Sequence, residues 1–455
     1  MAVKRKRGGP KAVQAPTSLN LRMYRVGFGD SFLLSFAYPD RERHVLIDCG
    51  SMGGGQMPAG GSVLKRVAED VRGRCGGTLD AIVATHRHAD HINGFARGGK
   101  KGDGPGDIFR ALEPELVIQP WTEDPKAAPD ARKAIESLPP GPAFVARLHG
   151  MSRGAEALLS HLRSAGNSLG RSRGVAKRTI SELEFLGADN LPNLDAIENL
   201  ATMARTKAGQ RYVAFGEESG LGALLPGVKV WVLGPPTMDQ FADLAKQRRK
   251  DEDEFWLRAI GLLETIDRGA EANLFPRAKK FSNLPPEARR LARGLGSVRA
   301  DQVRAIVREL DAALNNTSVV LLFEVGDQRL LFPGDAQAES WQYALRQAKV
   351  KGADVSGDLR EMLKGVTVYK VGHHGSLNAT PKSLWGLFRR RGAEGRVDRL
   401  RTLLSTYPGK HGNPDEGTEI PRATLVEALR KESRLHSTMD LKGGAFYEDL
   451  PLSFS

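Results

Sequence analysis

Cysteine is nearly absent: the 455-residue chain has only Cys49 and Cys75. Two thiols make no disulfide framework, which fits a reducing cytoplasmic setting and an inert, buried role for each. Aromatic residues are also few, at 6%, and that offers little for base-stacking platforms. No apolar run approaches the length needed to cross a bilayer; the longest, residues 318–325, suits a buried strand. The first seven residues, Met-Ala-Val-Lys-Arg-Lys-Arg, have no apolar core behind them, so they do not read as a secretory signal. Glycine is plentiful, yet the glycine-rich stretch 51–61 contains neither G-x-x-x-x-G-K-[ST] nor G-x-G-x-x-G. The stretch therefore matches neither a phosphate-loop nor a dinucleotide-binding fingerprint and reads as a flexible loop near the site.

Basic charge is in excess. Sixty-seven Lys and Arg face 54 Asp and Glu, a formal +13, which favours an acidic partner or substrate such as nucleic acid. Residues 1–18 hold Lys4, Arg5, Lys6, Arg7 and Lys11 without periodicity and read as a disordered basic tail. From residue 19 to 455 the pattern is that of one α/β domain. Short strands are expected at 21–26, 31–36 and 44–48, joined by the turns Gly27–Asp30 and Tyr38–Asp40. A helix is expected over 62–74, where Val63, Leu64, Val67 and Val71 recur at helical spacing. Further strands are expected at 79–85, 116–121, 212–215, 228–233, 318–325, 329–332, 365–371 and 401–405, with a helix at 423–431. Gly326-Asp327 reads as the turn of a hairpin. Two largely helical insertions, about 126–205 and 237–313, interrupt this framework.

The most specific stretch is Thr85-His86-Arg87-His88-Ala89-Asp90-His91. Three of the ten histidines and an aspartate fall within it, and these ligand types suit Zn²⁺ or a similar ion. In extended backbone His86 and His88 point to the same side and can pinch one ion. A helix beginning near Asp90 would turn that carboxylate and His91 towards a second ion, its N-terminus favouring the negative charge. Other ligand candidates end successive strands: Asp48, Asp335 and the pair His373-His374. Rigid strands holding ligands at one sheet edge are what a metal site needs.

Six blocks in order, V-G-F-G-D-S at 26–31, L-I-D-C-G at 46–50, T-H-R-H-A-D-H-I-N-G at 85–94, N-N-T-S at 315–318, F-P-G-D at 332–335 and G-H-H-G-S at 372–376, give the chain its family likeness. It resembles the metallo-β-lactamase fold superfamily, in the branch similar to the soluble hydrolase domain of ComEC-like proteins. The resemblance implies an αββα sandwich with two divalent ions at one edge, zinc first and manganese as the alternative. It implies that His86 and His88 hold one ion, that Asp90, His91 and His374 hold the other, and that Asp335 bridges them. Asp48 would orient ligand histidines from behind, and His373 would donate a proton or hydrogen bond. Ser376 and Asn378 are expected at the substrate. One departure stands out: the strand 228–233 ends in Gly234-Pro235-Pro236, where many members carry a further histidine. His149 and His161, in the first insertion, are expected at the surface. His411, in His411-Gly412-Asn413-Pro414, could reach the substrate.

The chemistry these residues suit is hydrolysis by a metal-activated water, with Asp90 or Asp335 as proton acceptor and His373 or His411 serving the leaving oxygen. A phosphodiesterase or nuclease acting on nucleic acid or nucleotides agrees best with the basic charge. A hydrolase of a small ester, lactone or thioester, and a non-catalytic metal-bearing domain that docks a protein partner through its insertions, are the competing classes. No membrane association is expected.

Overall fold

In the computed structural model the described residues are 14–53, 62–98, 102–127, 138–150, 193–241, 310–311, 313–376, 378, 380–392, 394–411 and 419–454. Arg171, Arg173, Lys177 and Arg178, a basic cluster of the first insertion, lie outside them, as do His161, most of the basic tail and the greater part of both insertions. Strand β1 (Ser18–Tyr24), β2 (Ser31–Ala37) and β3 (Glu42–Cys49) form the expected antiparallel meander. Strands β4 (Ala81–Val83), β5 (Leu116–Pro120) and β6 (Gln210–Val213) then add in parallel. The C-terminal strand β15 (Tyr447–Ser453) closes the other edge against β1. The resulting order is β15-β1-β2-β3-β4-β5-β6.

A second sheet has six strands. Its edge strand β7 (Lys229–Gly234) pairs antiparallel with β8 (Val320–Val325), which turns through Gly326-Asp327 into β9 (Gln328–Phe332). Strands β12 (Val368–Lys370), β13 (Arg401–Leu404) and β14 (Arg434–Ser437) follow in parallel. A small hairpin of β10 (Lys349–Val350) and β11 (Ala353–Asp354) stands apart.

Alternation along the strands explains the layering, because successive side chains face opposite sides. Phe32, Leu34 and Phe36 of β2 meet Leu321, Phe323 and Phe332 of the second sheet between the two sheets. The intervening Leu33, with Leu46, Ile82 and Val117, faces outward onto helix α1 (Val63–Arg74) and helix α3 (Pro105–Ala111). On the far side Leu322, Leu331, Tyr369 and Leu404 pack beneath the helices Ala338–Arg346, Ser356–Lys364 and Ala423–Glu432. The order is helix, sheet, sheet, helix: the expected αββα sandwich. Each buried leucine or phenylalanine in these layers contributes about 1.5–3 kcal/mol over its exposed state.

Two glycines bring the sheets' loops together. Gly50 follows β3, and a Cβ there would lie 2.2 Å from the Asp90 carbonyl carbon. Gly334, at φ +54, would place a Cβ 2.9 Å from Thr85 Cβ. Neither approach tolerates a side chain.

Candidate metal centre

The parallel strands β3, β4, β9, β12 and β13 all point their C-terminal ends at one edge of the sandwich, and the loops leaving them carry the polar residues. Three non-glycine residues here have left-handed backbone: Asp48 (φ 56), His373 (φ 44) and His374 (φ 50). Such conformations cost of order 1–3 kcal/mol each and persist where the surroundings over-determine them.

The loop after β4 presents the histidine-aspartate array in extended conformation. The His86 Nε2 and His88 Nδ1 atoms lie 3.0 Å apart, so the two rings do converge on one point. Helix α2 (Ala89–Ile92) then begins one residue before Asp90. It is a single turn, and its dipole is correspondingly small; Asp90 is held instead by side chains. Burial acts to raise its carboxyl, but the facing His91 and His374 outweigh that and hold it well below the usual carboxylate range. His374 Nε2 lies 2.8 Å from Asp90 Oδ2, and His91 Nε2 lies 3.1 Å from Asp335 Oδ2.

Asp90, His91, Asp335 and His374 thus converge as one buried group, while His86, His88 and Asp90 converge as another. The shared Asp90 joins the two groups. All six sequence-expected ligands lie at this edge, with His374 rather than His373 turned into the cluster, but the carboxylate common to both groups is Asp90, where Asp335 was expected to bridge. His373 contributes its backbone N–H, 3.0 Å from Asp335 Oδ1.

Behind the cluster, hydrogen bonds fix which ring nitrogen faces inward. The Thr85 N–H and hydroxyl each donate to Asp48 at 2.7 Å. With its own proton so committed, Thr85 Oγ1 accepts from His86 Nδ1 at 3.1 Å. His91 Nδ1 reaches Asp48 Oδ2 at 2.8 Å, and His374 Nδ1 reaches the Ser405 carbonyl at 3.0 Å. All three imidazoles therefore turn Nε2 into the cluster, the atom that carries the lone pair when the ring is neutral and could then ligate a metal. Asp48 thus lies behind the cluster, bonded to Thr85 and His91. Burial raises its carboxyl above the ordinary value despite the counteracting His91. Burial also depresses His91 and His374, but the surrounding carboxylates prevail and raise both. Burial drives His86 well below its ordinary value, and the neighbouring histidines add to the shift.

Three cluster atoms, Asp90 Oδ1, His91 Nε2 and Asp335 Oδ2, are buried without a hydrogen-bond partner. Unpaired buried polar atoms are costly, and these are all metal-ligand types. The residues therefore fit divalent ions.

Several neighbours were not singled out as functional from sequence. Lys370 ends β12 fully buried, ion-paired to Asp30 and 3.3 Å from Asp335 Oδ1. Burial works against its charge, but Asp30 and Asp335 raise it above the ordinary lysine value. A lysine in the apolar run Val366–Val371, and an aspartate in Gly27–Ser31, were the available signals. Arg87, between the two ligand histidines, forms a bidentate ion pair with Glu123 (2.6 and 3.0 Å). Asp311 Oδ1 stands 3.9 Å from His88 Nε2.

His149 departs from its expected surface position. It is half-buried, its Nε2 3.5 Å from Arg87 Nη2, because residues 138–150 fold back against the metal loop. The expected substrate residues line the rim: Ser376 Oγ donates to Asn378 Oδ1 at 2.9 Å. His411 stays at that rim too, its ring 6.5 Å from Phe28, which in turn packs 4.4 Å from His374. The end of β7 supplies no histidine, and β7 is an edge strand.

Residues 24–129 match the model of the metallo-beta-lactamase superfamily, whose members are generally hydrolases. The match takes in Asp30, Asp48 and the whole array; Asp335, Lys370 and His374 lie beyond it and join the site through the fold. No curated protein matches the chain. Among the described residues no helix is long and apolar enough to cross a membrane.

Proposed function

We propose that this protein is a metal-dependent phosphodiesterase or nuclease acting on nucleic acid or nucleotides. The observation that carries the hydrolase reading is the buried convergence of Asp90, His91, Asp335 and His374, whose side-chain ligand atoms crowd one another within the cluster. The +13 charge supports an anionic substrate.

His86 Nε2 and His88 Nδ1 would hold one divalent ion, and Asp90, His91, Asp335 and His374 the other. Bound there, such ions supply Lewis acidity and a water ionised near neutral pH. Asp90, or Asp335 beside it, would accept a proton from an attacking water, Asp90 Oδ1 having no hydrogen bond of its own. Asp48, Thr85 and the Ser405 carbonyl keep the three imidazoles from turning. His373 keeps a buried Nδ1 without a hydrogen-bond partner. Burial lowers its basicity despite nearby carboxylates, so it acts as a neutral hydrogen-bond donor to the leaving oxygen rather than as a store of protons. Ser376 and Asn378 at the rim would contact the substrate beyond the scissile bond, with His411 beside them.

Metal analysis of the purified protein, joined to a hydrolysis screen on bis-p-nitrophenyl phosphate, single-stranded DNA, RNA and cyclic nucleotides, tests the reading. Zinc or manganese uptake with turnover of at least one phosphodiester is expected, and Asp90→Ala should abolish it. Equal turnover by wild type and Asp90→Ala would defeat the mechanism. Turnover confined to a neutral ester would defeat the substrate assignment.

A further inference from the structure

Asp335 puts its two carboxylate oxygens to different uses, and only its bonded oxygen is held by an ammonium. Its Oδ1 accepts from the His373 backbone N–H at 3.0 Å and from Lys370 Nζ at 3.3 Å. Its Oδ2 has no hydrogen-bond partner and lies 3.1 Å from His91 Nε2 and 3.7 Å from His374 Nε2. Lys370 cannot swing away. Its Nζ also donates to the Gly334 carbonyl at 3.1 Å and is ion-paired to Asp30, a residue 0% exposed. Asp30 is itself pinned, its backbone N–H donating to the Asp90 carbonyl at 2.9 Å and its carbonyl accepting from Gly50. The chain Asp30–Lys370–Asp335 therefore ties the start of β2, the end of β12 and the loop after β9 to one carboxylate.

We propose that Lys370, anchored by Asp30, is a positioning residue that occupies Asp335 Oδ1 and leaves Oδ2 as the only oxygen offered to metal. This rests on the metal-dependent reading above. A carboxylate free to rotate could chelate one ion through both oxygens; a carboxylate tied by one oxygen must serve any ions through the other. The ammonium also offsets one of the four buried carboxylates gathered here, Asp30, Asp48, Asp90 and Asp335. Partners that orient metal ligands in this way typically matter 10- to 100-fold in metal affinity.

The test is Co²⁺ titration of metal-depleted full-length protein, read by chelator competition and by the visible spectrum of the bound ion. Lys370→Met alone strands Asp30 as an uncompensated buried charge, so the informative variant is Asp30→Asn/Lys370→Met, which removes both charges together. It is expected to melt near wild type without metal, yet to bind Co²⁺ about 10- to 100-fold more weakly, with altered band positions as Asp335 changes its coordination. A folded double variant with unchanged affinity and spectrum would reduce the pair to a core ion pair and overturn the proposal. Should the double variant not fold, Lys370→Arg decides by the same readout. It keeps the charge but not the single-atom fit, so weaker binding is expected and unchanged binding overturns the proposal. If wild type takes up no Co²⁺, the metal reading itself fails, and this inference with it.

Discussion

At the scale of single residues, the centre is built so that few side chains have freedom to choose. Asp48 illustrates this. It sits in left-handed backbone and accepts three hydrogen bonds, two from Thr85 and one from His91. An amide in its place would set an N–H₂ group against one of those donors. Asp48→Asn is therefore expected to lower metal affinity by about 10- to 100-fold, measured by chelator competition, while far-ultraviolet circular dichroism stays unchanged. His88→Ala removes one of the two rings that pinch the first position. It should reduce the bound metal per chain, measured by elemental analysis, and leave Asp90, His91, Asp335 and His374 able to retain an ion. If His88→Ala and His374→Ala lose metal identically, the two groups do not act as separate positions. The array was legible from sequence because its ligands are consecutive and extended backbone alternates sides. Lys370 was not, because its meaning depends on Asp30, some 340 positions earlier, which only the fold brings to it.

At the scale of elements, legibility followed hydrophobic periodicity. The meander β1–β3, helix α1, the β8–β9 hairpin and the helix at 423–432 all carry enough alternating or helical pattern to be placed within three residues at each end. Strand β15 was missed: its sequence, YEDLPLS, holds a proline and two acids, and only Leu450 and Leu452 face the core. What recruits it is long-range. Arg22 of β1 forms ion pairs with Asp449 and Asp70 and lies 3.5 Å over the Tyr447 ring. Truncating Leu450, 4% exposed, to alanine should cost about 2–4 kcal/mol of stability, measured by urea denaturation. Burial acts to raise Asp449, but its bonds to Arg22 and Asn20 prevail and hold it below the ordinary aspartate value. A carboxyl depressed in the folded state stabilises above its unfolded pKa, and that contribution fades as pH falls through the folded value. The stability gap between wild type and Asp449→Asn should accordingly be largest near neutral pH and close on acidification. A gap that widens in acid would contradict this.

At the scale of the whole molecule, the two sheets have a division of labour. The first carries Asp30, Asp48 and the array within the stretch that matches the metallo-beta-lactamase superfamily, and the second delivers Asp335, Lys370 and His374 from the ends of β9 and β12. The order of the sequence blocks was enough to anticipate this meeting, since the ligand-bearing blocks lie at or just beyond the ends of β3, β4, β9 and β12 and parallel strands end on one side. The insertions resisted reading because their charges are mixed and no ligand-bearing motif runs through them. Yet the parts of them that are described touch the centre, through His149 beside Arg87 and Asp311 near His88. The surplus of 13 positive charges belongs to this scale as well, and it makes the substrate class testable. A chain that captures a nucleic acid through phosphate contacts releases condensed counterions, so its affinity for single strands falls with salt in proportion to the contacts made. Three contacts on single-stranded DNA would lower affinity about 20-fold between 50 and 200 mM salt. The small diester bis-p-nitrophenyl phosphate carries one charge and no counterion sheath, so its hydrolysis should change little over the same range. The expected outcome is a steep salt dependence of kcat/KM on single-stranded DNA beside a shallow one on the small diester, with kcat on both nearly constant. Equal, shallow slopes would mean that the basic surface takes no part in capture and would leave a nucleotide or another small diester as the substrate.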